Sequence, residues 1–289
     1  MPQRDRGNLR LYSLRCGEKS VILDQPKIMG IINVTPDSFF DGGKYYSHST
    51  LSQEKIELDA QAMIESGATF LDIGGSSSRP GAAFLSAPEE IERVLPVVKS
   101  LATLPVTLSV DTFHAKTAKA VLEAGADVIN DISGGRDPRM FELIADSDCA
   151  YVIMHMQGNP ENMQNNPTYS NVVAEVRTYL EQKVENLEKI GVCRNRLVVD
   201  PGFGFGKTFE HNIQIFKSLD SFRSMGIPLM VGLSRKSFLG HIVGRDVNER
   251  LQASVTAAVL AVKQGANIVR VHDVAQTFDG LVTARALSE

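Results

Sequence analysis

The chain has 289 residues, 43% of them hydrophobic and 22% charged, with a formal net charge of −4. That length suits one large barrel or two ordinary domains, and so small a charge, evenly spread, argues against a basic nucleic-acid-binding face. Cys16, Cys149 and Cys193 are odd in number and widely separated, without Cys-x-x-Cys spacing, which sets aside a disulfide framework and a zinc site. No run approaches the ~18 apolar residues that span a bilayer. The polar start Met-Pro-Gln-Arg-Asp-Arg-Gly has no signal-peptide core, so a reducing, cytoplasmic setting is expected.

Residues 1–26 form an N-terminal extension, in which Arg10-Leu-Tyr-Ser-Leu and Ser20-Val-Ile-Leu predict a short hairpin at the lower end of the main fold. From about residue 27, eight apolar, β-branched runs each end on a polar side chain: Ile28–Asn33, Thr69–Asp72, Val106–Asp111, Val128–Asp131, Ala150–His155, Leu197–Asp200, Leu229–Ser234 and Ile268–His272. Runs without polar alternation read as strands buried on both faces of a parallel sheet. Helical patterns lie between them, at 51–66, from Ser86 to about Leu101, at 114–123, 171–190 and 249–263. Ser86-Ala-Pro-Glu89 opens the second as an N-cap with a first-turn proline and a capping-box Glu. A phrase recurs where helix turns into strand: Ser66-Gly-Ala-Thr, Ala124-Gly-Ala-Asp and Gln264-Gly-Ala-Asn, each with a helix-ending glycine.

Alternating strands and helices fit either an α/β barrel or an open doubly wound sheet. Polar residues end both the first and the last run, where an open sheet would have poor edge positions. The expected fold is therefore a (β/α)₈ TIM barrel over residues 1–289 as a single domain, with its working rim at the carboxyl ends of the strands.

Three connections after strands are long and polar: Asn33-Val-Thr-Pro-Asp-Ser-Phe-Phe-Asp41-Gly-Gly, Asp72-Ile-Gly-Gly-Ser-Ser-Ser78-Arg79-Pro80-Gly81 and Asp200-Pro-Gly-Phe-Gly-Phe205-Gly-Lys207. The third is one residue short of a nucleotide-binding P-loop, because Pro201 stands where the first glycine belongs, and the P-loop reading is rejected. Together with Ser-Val-Asp-Thr at 109–112, Ile-Asn-Asp at 129–131, Met-His-Met-Gln-Gly at 154–158, Gly232-Leu-Ser-Arg-Lys-Ser-Phe and Arg270-Val-His-Asp, these segments resemble the dihydropteroate synthase family, in order, over about residues 27–285. In the second loop Ser76 stands where the family usually has Glu, and Ser78 where it has Thr. Ser78 keeps the hydroxyl and lacks the methyl group, and the resemblance does not carry over the loop's fine shape or any contact of the usual Glu.

The resemblance implies a transferase that joins 6-hydroxymethyl-7,8-dihydropterin diphosphate to p-aminobenzoate, releasing pyrophosphate and forming 7,8-dihydropteroate. Asp111, Asn130 and Asp200 would pair with the pterin's aminopyrimidine edge, and Lys236 with its acceptor side. Ile132, Met154 and Phe205 would sandwich the ring. Asn33, Arg270 and His272 would hold the diphosphate, although the plainer reading of Arg270 and His272 is a core ion pair with Asp273 or another carboxylate. Mg²⁺ would use Asn33 and Asp41. Phe39, Ser78, Arg79 and Pro80 would line the p-aminobenzoate pocket, with Ser237 at a helix start receiving its carboxylate. Asp111, Asp200, Lys236, Arg270 and His272 would act in catalysis by a dissociative path without a covalent nucleophile. Asp72 and His155 are expected to support the site rather than bind. Sulfonamides should compete with p-aminobenzoate, and a homodimer through the last helices is expected. Competing readings are a pterin-binding methyltransferase barrel, which the Ser-Arg-Lys-Ser and Arg79-Pro80 segments disfavour, and a non-catalytic pterin-binding module. A Schiff-base aldolase barrel would need a lysine inside a strand, and none of the eight runs has one.

Overall fold

In the computed structural model, which describes residues 11–35, 43–47, 50–76 and 85–288, each of the eight runs lies in or spans a strand. A hairpin comes first, β1 (Ser13–Cys16) with β2 (Lys19–Ile22). The chain continues through β3 (Lys27–Asn33), the small pair β4 (Tyr46–Ser47) and β5 (Thr50–Leu51), α1 (Gln53–Glu65), β6 (Ala68–Gly74), α2 (Ala87–Leu101), β7 (Thr107–Asp111), α3 (Ala115–Glu123) and β8 (Val128–Asp131). It ends with α4 (Pro138–Asp146), β9 (Ala150–Met154), α5 (Val172–Lys189), β10 (Leu197–Asp200), α6 (Phe209–Lys217), β11 (Met230–Val231), α7 (Ser237–Val243), α8 (Leu251–Lys263), β12 (Ile268–Val271) and α9 (Val274–Ala286). None of the described helices is long and apolar enough to cross a membrane.

The large sheet has the order β10-β9-β8-β7-β6-β3-β12-β11, with every laddered pair parallel. A single bridge between Val199 and Leu229, with the Val199 N–H donating to the Pro228 carbonyl at 3.0 Å, joins its two ends into a (β/α)₈ barrel. The weak seam therefore lies between β10 and β11, whereas first and last strands, β3 and β12, share a full ladder. The run at 229–234 keeps only two residues in regular strand. Asn267 braces them: its side-chain oxygen accepts from Leu229 N at 3.0 Å, and its own N–H donates to the Leu229 carbonyl at 2.8 Å.

Alternate residues of each strand face opposite ways, and the two sets build two cores. One set, including Ile32, Leu71, Ile73, Leu108, Val110, Ile129, Tyr151, Val199 and Val269, packs against the helices. The other, Met29, Phe70, Val128, Val152, Val198, Met230 and Ile268, fills the barrel's amino-terminal end together with Leu14, Cys16, Val21 and Leu23 of the hairpin. The hairpin thus plugs the lower end, as its sequence predicts. Lys19 secures it by donating to the Val106 carbonyl at 2.9 Å and to Asp127 at 2.7 Å.

The helix limits follow local chemistry. Glu89 Oε2 accepts from the N–H and hydroxyl of Ser86 at 2.9 and 2.6 Å, closing the predicted capping box of α2. Gly67, Gly125 and Gly265, from the repeated phrase, have φ of 97°, 106° and 105°, which lets the chain reverse directly into the next strand.

Candidate active site

Parallel register sets out one row of residues across four strands: Asn33 on β3, Gly74 on β6, Asp111 on β7 and Asn130 on β8. Gly74 lies between the two polar groups: a Cβ there would be in ordinary contact with Asn33 Oδ1 at 3.6 Å and Asp111 Cβ at 3.8 Å. One row below, Asp72 is fully buried beside Ser109. Its carboxylate accepts from Ser109 Oγ at 2.5 Å, Asn130 Nδ2 at 3.0 Å and Arg270 Nε at 2.6 Å. Arg270 Nη2 then donates to Asp111 Oδ2 at 3.0 Å, so one guanidinium serves two carboxylates. Arg270 is ion-paired after all, but not with Asp273, which forms a two-bond pair with Arg235 at 2.7 and 2.9 Å.

Charge in this interior is finely divided. Burial pushes the Asp111 carboxyl up to about 7, against the lowering pull of Arg270, while Asp72 adds a like-charge push. Burial likewise raises Asp200, with Lys236 opposing, and lowers Lys236 to about 8, with Asp200 opposing. Lys236 Nζ donates to the Phe203 carbonyl and lies 4.4 Å from the centroid of the Phe205 ring. The wall beside these groups is apolar: Ile132, Met154 and Phe205, as expected from the sequence, cluster with Met156, Met163 and Phe113. The last three were not foreseen. Phe113 adjoins the Ser-Val-Asp-Thr segment and Met156 lies within Met-His-Met, so proximity to a motif was the available signal. Met163 comes from the connection after β9 and has no such mark.

The loop after β10 is built on glycines at alternate places. Gly202 and Gly206 have φ of 70° and 61°, and a Cβ would come within 2.0 Å of the His155 carbonyl oxygen and 2.3 Å of that of Gln157. Lys207 grips the same turn from inside, donating to the carbonyls of Gly202 at 2.9 Å, Phe205 at 3.0 Å and His155 at 3.3 Å. Its Nζ also lies 3.0 Å from His155 Nδ1. Burial, and after it the charge of Lys207, hold the His155 imidazole down at about 2, so His155 is neutral, and burial lowers Lys207 as well. The Gly-Lys pair therefore stabilises a loop rather than cradling a phosphate, in keeping with the rejected P-loop reading.

At the other side of the mouth, His272 follows β12, and its Nδ1 lies 3.0 Å from the hydroxyl of Ser234, which also accepts from His272 N at 3.3 Å. Arg235 has φ of 57°, an uncommon place for a long side chain. Ser254 Oγ accepts from its N–H, and its side chain reaches Asp273 and the Val247 and Asn248 carbonyls. This clamp turns Lys236 towards Phe203 and Phe205 and starts α7 at exposed Ser237. Asn33 ends β3, and two residues on, the buried Thr35 hydroxyl has no hydrogen-bond partner among the described residues. Phe39, Asp41, Ser78, Arg79 and Pro80 lie outside the described residues. The segment holding the last three is flanked by two anchors: Arg93 Nη1 donates to the Gly75 carbonyl at 3.1 Å, and His114 Nε2 lies 3.0 Å from the Leu85 carbonyl.

A barrel whose carboxyl-terminal mouth joins a carboxylate–amide set to an apolar wall suits a pterin-binding enzyme, and the pterin binding enzyme family model matches residues 29–272. The chain is 42% identical to the dihydropteroate synthase of Escherichia coli K12 over 268 residues, 92% of this chain and 93% of that one. Its fold is similar to that of Yersinia pestis dihydropteroate synthase in a sulfonamide drug complex, with TM-score 0.90, 40% identity, and 95% and 98% of the two chains covered. It is also similar to the Burkholderia cenocepacia enzyme complexed with 7,8-dihydropteroate, with TM-score 0.86, 40% identity, and 96% and 97% covered. The chain belongs to the pterin-binding enzymes and, within them, to the dihydropteroate synthases.

Proposed function

We propose that this barrel mouth performs dihydropteroate synthesis by dissociative substitution, with the work divided among the side chains described above. As a dihydropteroate synthase the chain condenses 6-hydroxymethyl-7,8-dihydropterin diphosphate with p-aminobenzoate to give 7,8-dihydropteroate and pyrophosphate. The observation that carries the division of labour is the Asp111–Asn130 row beside the Ile132, Met154 and Phe205 cluster, with Arg270 shared below it. Asp111 and Asp200 accept from the N–H groups of the aminopyrimidine edge, Asn130 pairs with that edge through its amide, and Lys236 donates to its acceptor side. The carbon–oxygen bond to diphosphate breaks first, and the ring nitrogen shares the resulting positive charge. The aromatic amine then adds to that carbon, and its proton leaves with pyrophosphate. Carboxylates held near the pterin stabilise the developing cation, and the protein need form no covalent bond.

Arg270, His272 and Asn33 take the diphosphate in this reading, and Ser237 at the start of α7 takes the p-aminobenzoate carboxylate. Phe39, Ser78, Arg79 and Pro80 complete that pocket. Mg²⁺ would be held by Asn33, Asp41 and diphosphate oxygens, and would neutralise charge on the leaving group. The oxygen-only donor set fits such an ion, and the buried Thr35 hydroxyl two residues from Asn33, without a partner among the described residues, offers another oxygen close to it in the chain. A homodimer is part of the proposal, supported by exposed Ile242, Val243, Leu260, Phe278 and Val282 on the last three helices. A cytoplasmic setting is supported by buried, unbridged Cys16 and Cys149. The deciding assay is pyrophosphate release from the pterin diphosphate with and without p-aminobenzoate. Amine-dependent release with formation of dihydropteroate is expected, and a covalent pterin adduct on any side chain would overturn the dissociative path.

A further inference from the structure

We infer that Asp72 is a positioning residue of the pterin site, whose buried carboxylate holds Arg270 and Asn130 in place and so keeps Asp111 open to the ring. The inference rests on the proposed pterin role of Asp111 and Asn130. Asp72 lies inside β6, without solvent exposure, and its three partners come from β7, β8 and β12. One side chain thus ties together strands on both sides of its own. The two carboxylate oxygens are unequally used: Oδ1 takes Ser109, while Oδ2 takes both Asn130 and Arg270.

Two consequences reach the mouth of the barrel. First, Arg270 divides its donors, with Nε on Asp72 and Nη2 on Asp111. Without the Asp72 charge, Asp111 is the remaining carboxylate bonded to this guanidinium among the described residues, and fork-on-carboxylate pairing is the geometry the guanidinium favours. Asp111 would then spend both oxygens on Arg270 and have little left for ring N–H groups. Second, Nδ2 of Asn130 is committed to Asp72, which sets which end of the amide is oxygen and which is nitrogen. A freely turning amide would present the wrong edge half of the time. Asp72 itself acts only through these neighbours.

The test is Asp72→Asn, which is isosteric. Its amide oxygen could still accept from Arg270 and Asn130, and its amide nitrogen could donate to Ser109 Oγ, so each bond remains sterically possible while the charge that competes with Asp111 for Arg270 is removed. The KM for dihydropterin diphosphate should rise about tenfold or more, with the KM for p-aminobenzoate changing less than about twofold and the thermal midpoint near that of the parent. Ser109→Ala, which loosens Asp72 while leaving all charges, should shift the pterin KM in the same direction by about two- to fivefold. Equal rises in both KM values, or a pterin effect that merely tracks a fall in thermal midpoint, would make Asp72 an ordinary core residue and overturn the inference. Parallel binding of a pterin to Asp111→Asn separates the two levels. If Asp111→Asn loses binding and Asp72→Asn does not, the inference alone fails; if neither loses it, the pterin reading of the site fails with it.

Discussion

Single side chains in this molecule carry more than one duty, and Asp111 is the clearest case. Its carboxyl is pushed up to about 7 by burial although Arg270 touches it. Ionised, Asp111 can accept from two ring N–H groups, whereas protonation turns one of its oxygens into a donor, so pterin affinity should rise as pH rises through about 7 and fall below it. Asp111→Asn should weaken pterin binding at least about tenfold at pH 8 and flatten this acid limb, as read by titration calorimetry across pH. Lys236 titrates in the opposite sense: burial lowers it to about 8, so its charge is lost above that value. The pH profile of kcat/KM for the pterin substrate should therefore peak between the two, and Lys236→Met should lower the peak and remove the alkaline limb. Much of this pairing was visible beforehand, because Asp111, Asn130, Asp200, Lys236 and Arg270 stand at run ends or in named segments. The sharing of Arg270 between Asp72 and Asp111 was not, since Asp72 and Arg270 lie 198 residues apart and meet only in the closed barrel.

Among the elements, the loop after β10 shows how backbone geometry sets a site. Its alternate glycines look in sequence like a flexible or phosphate-binding turn. In the structure they are places where the chain presses against the 155–157 segment with positive φ, and Lys207 ties both strands' extensions together. Gly202→Ala should cost about 2–4 kcal/mol in urea unfolding, from backbone strain plus collision with the His155 carbonyl. It should also raise the pterin KM, because the loop carries Phe205. The strands themselves were legible from apolar runs ending in polar residues, to within a few residues. The exception is the 229–234 run: its last residues leave the sheet so that Ser234 can meet His272 and Arg235 can take its left-handed turn. A periodicity argument has no means to see that departure, because it is imposed by Asp273 and Ser254 from elsewhere in the chain.

For the molecule as a whole, stability and chemistry occupy opposite ends of the barrel. The hairpin closes the lower end with Leu14, Cys16 and Leu23, each at most 1% exposed, while the polar groups gather at the upper end. Leu14→Ala should cost about 2–5 kcal/mol of stability through a cavity that the rigid strands cannot fill. Neither substrate KM should change in folded protein, which thermal unfolding and steady-state kinetics together would check. A rise in pterin KM would mean that the plug and the site are coupled through the strands. The seam between β10 and β11 should exchange amide hydrogens faster than the β3–β12 ladder, because a single bridge protects it.

The sequence by itself determined the class of fold, the order of the strands along the chain and the residues at their working ends. These come from local rules: apolar runs make buried strands, glycines end helices, and polar residues at strand ends face the mouth. Its close resemblance to one family also supplied the reaction. Only the tertiary structure decided which charges share a partner, where the barrel's weak seam lies, and that Asp72 stands beneath the site as its common acceptor. Those are properties of closure. They depend on side chains from distant strands arriving within about 3 Å of one another in a dry interior, where hydrogen-bond geometry and desolvation select among partners.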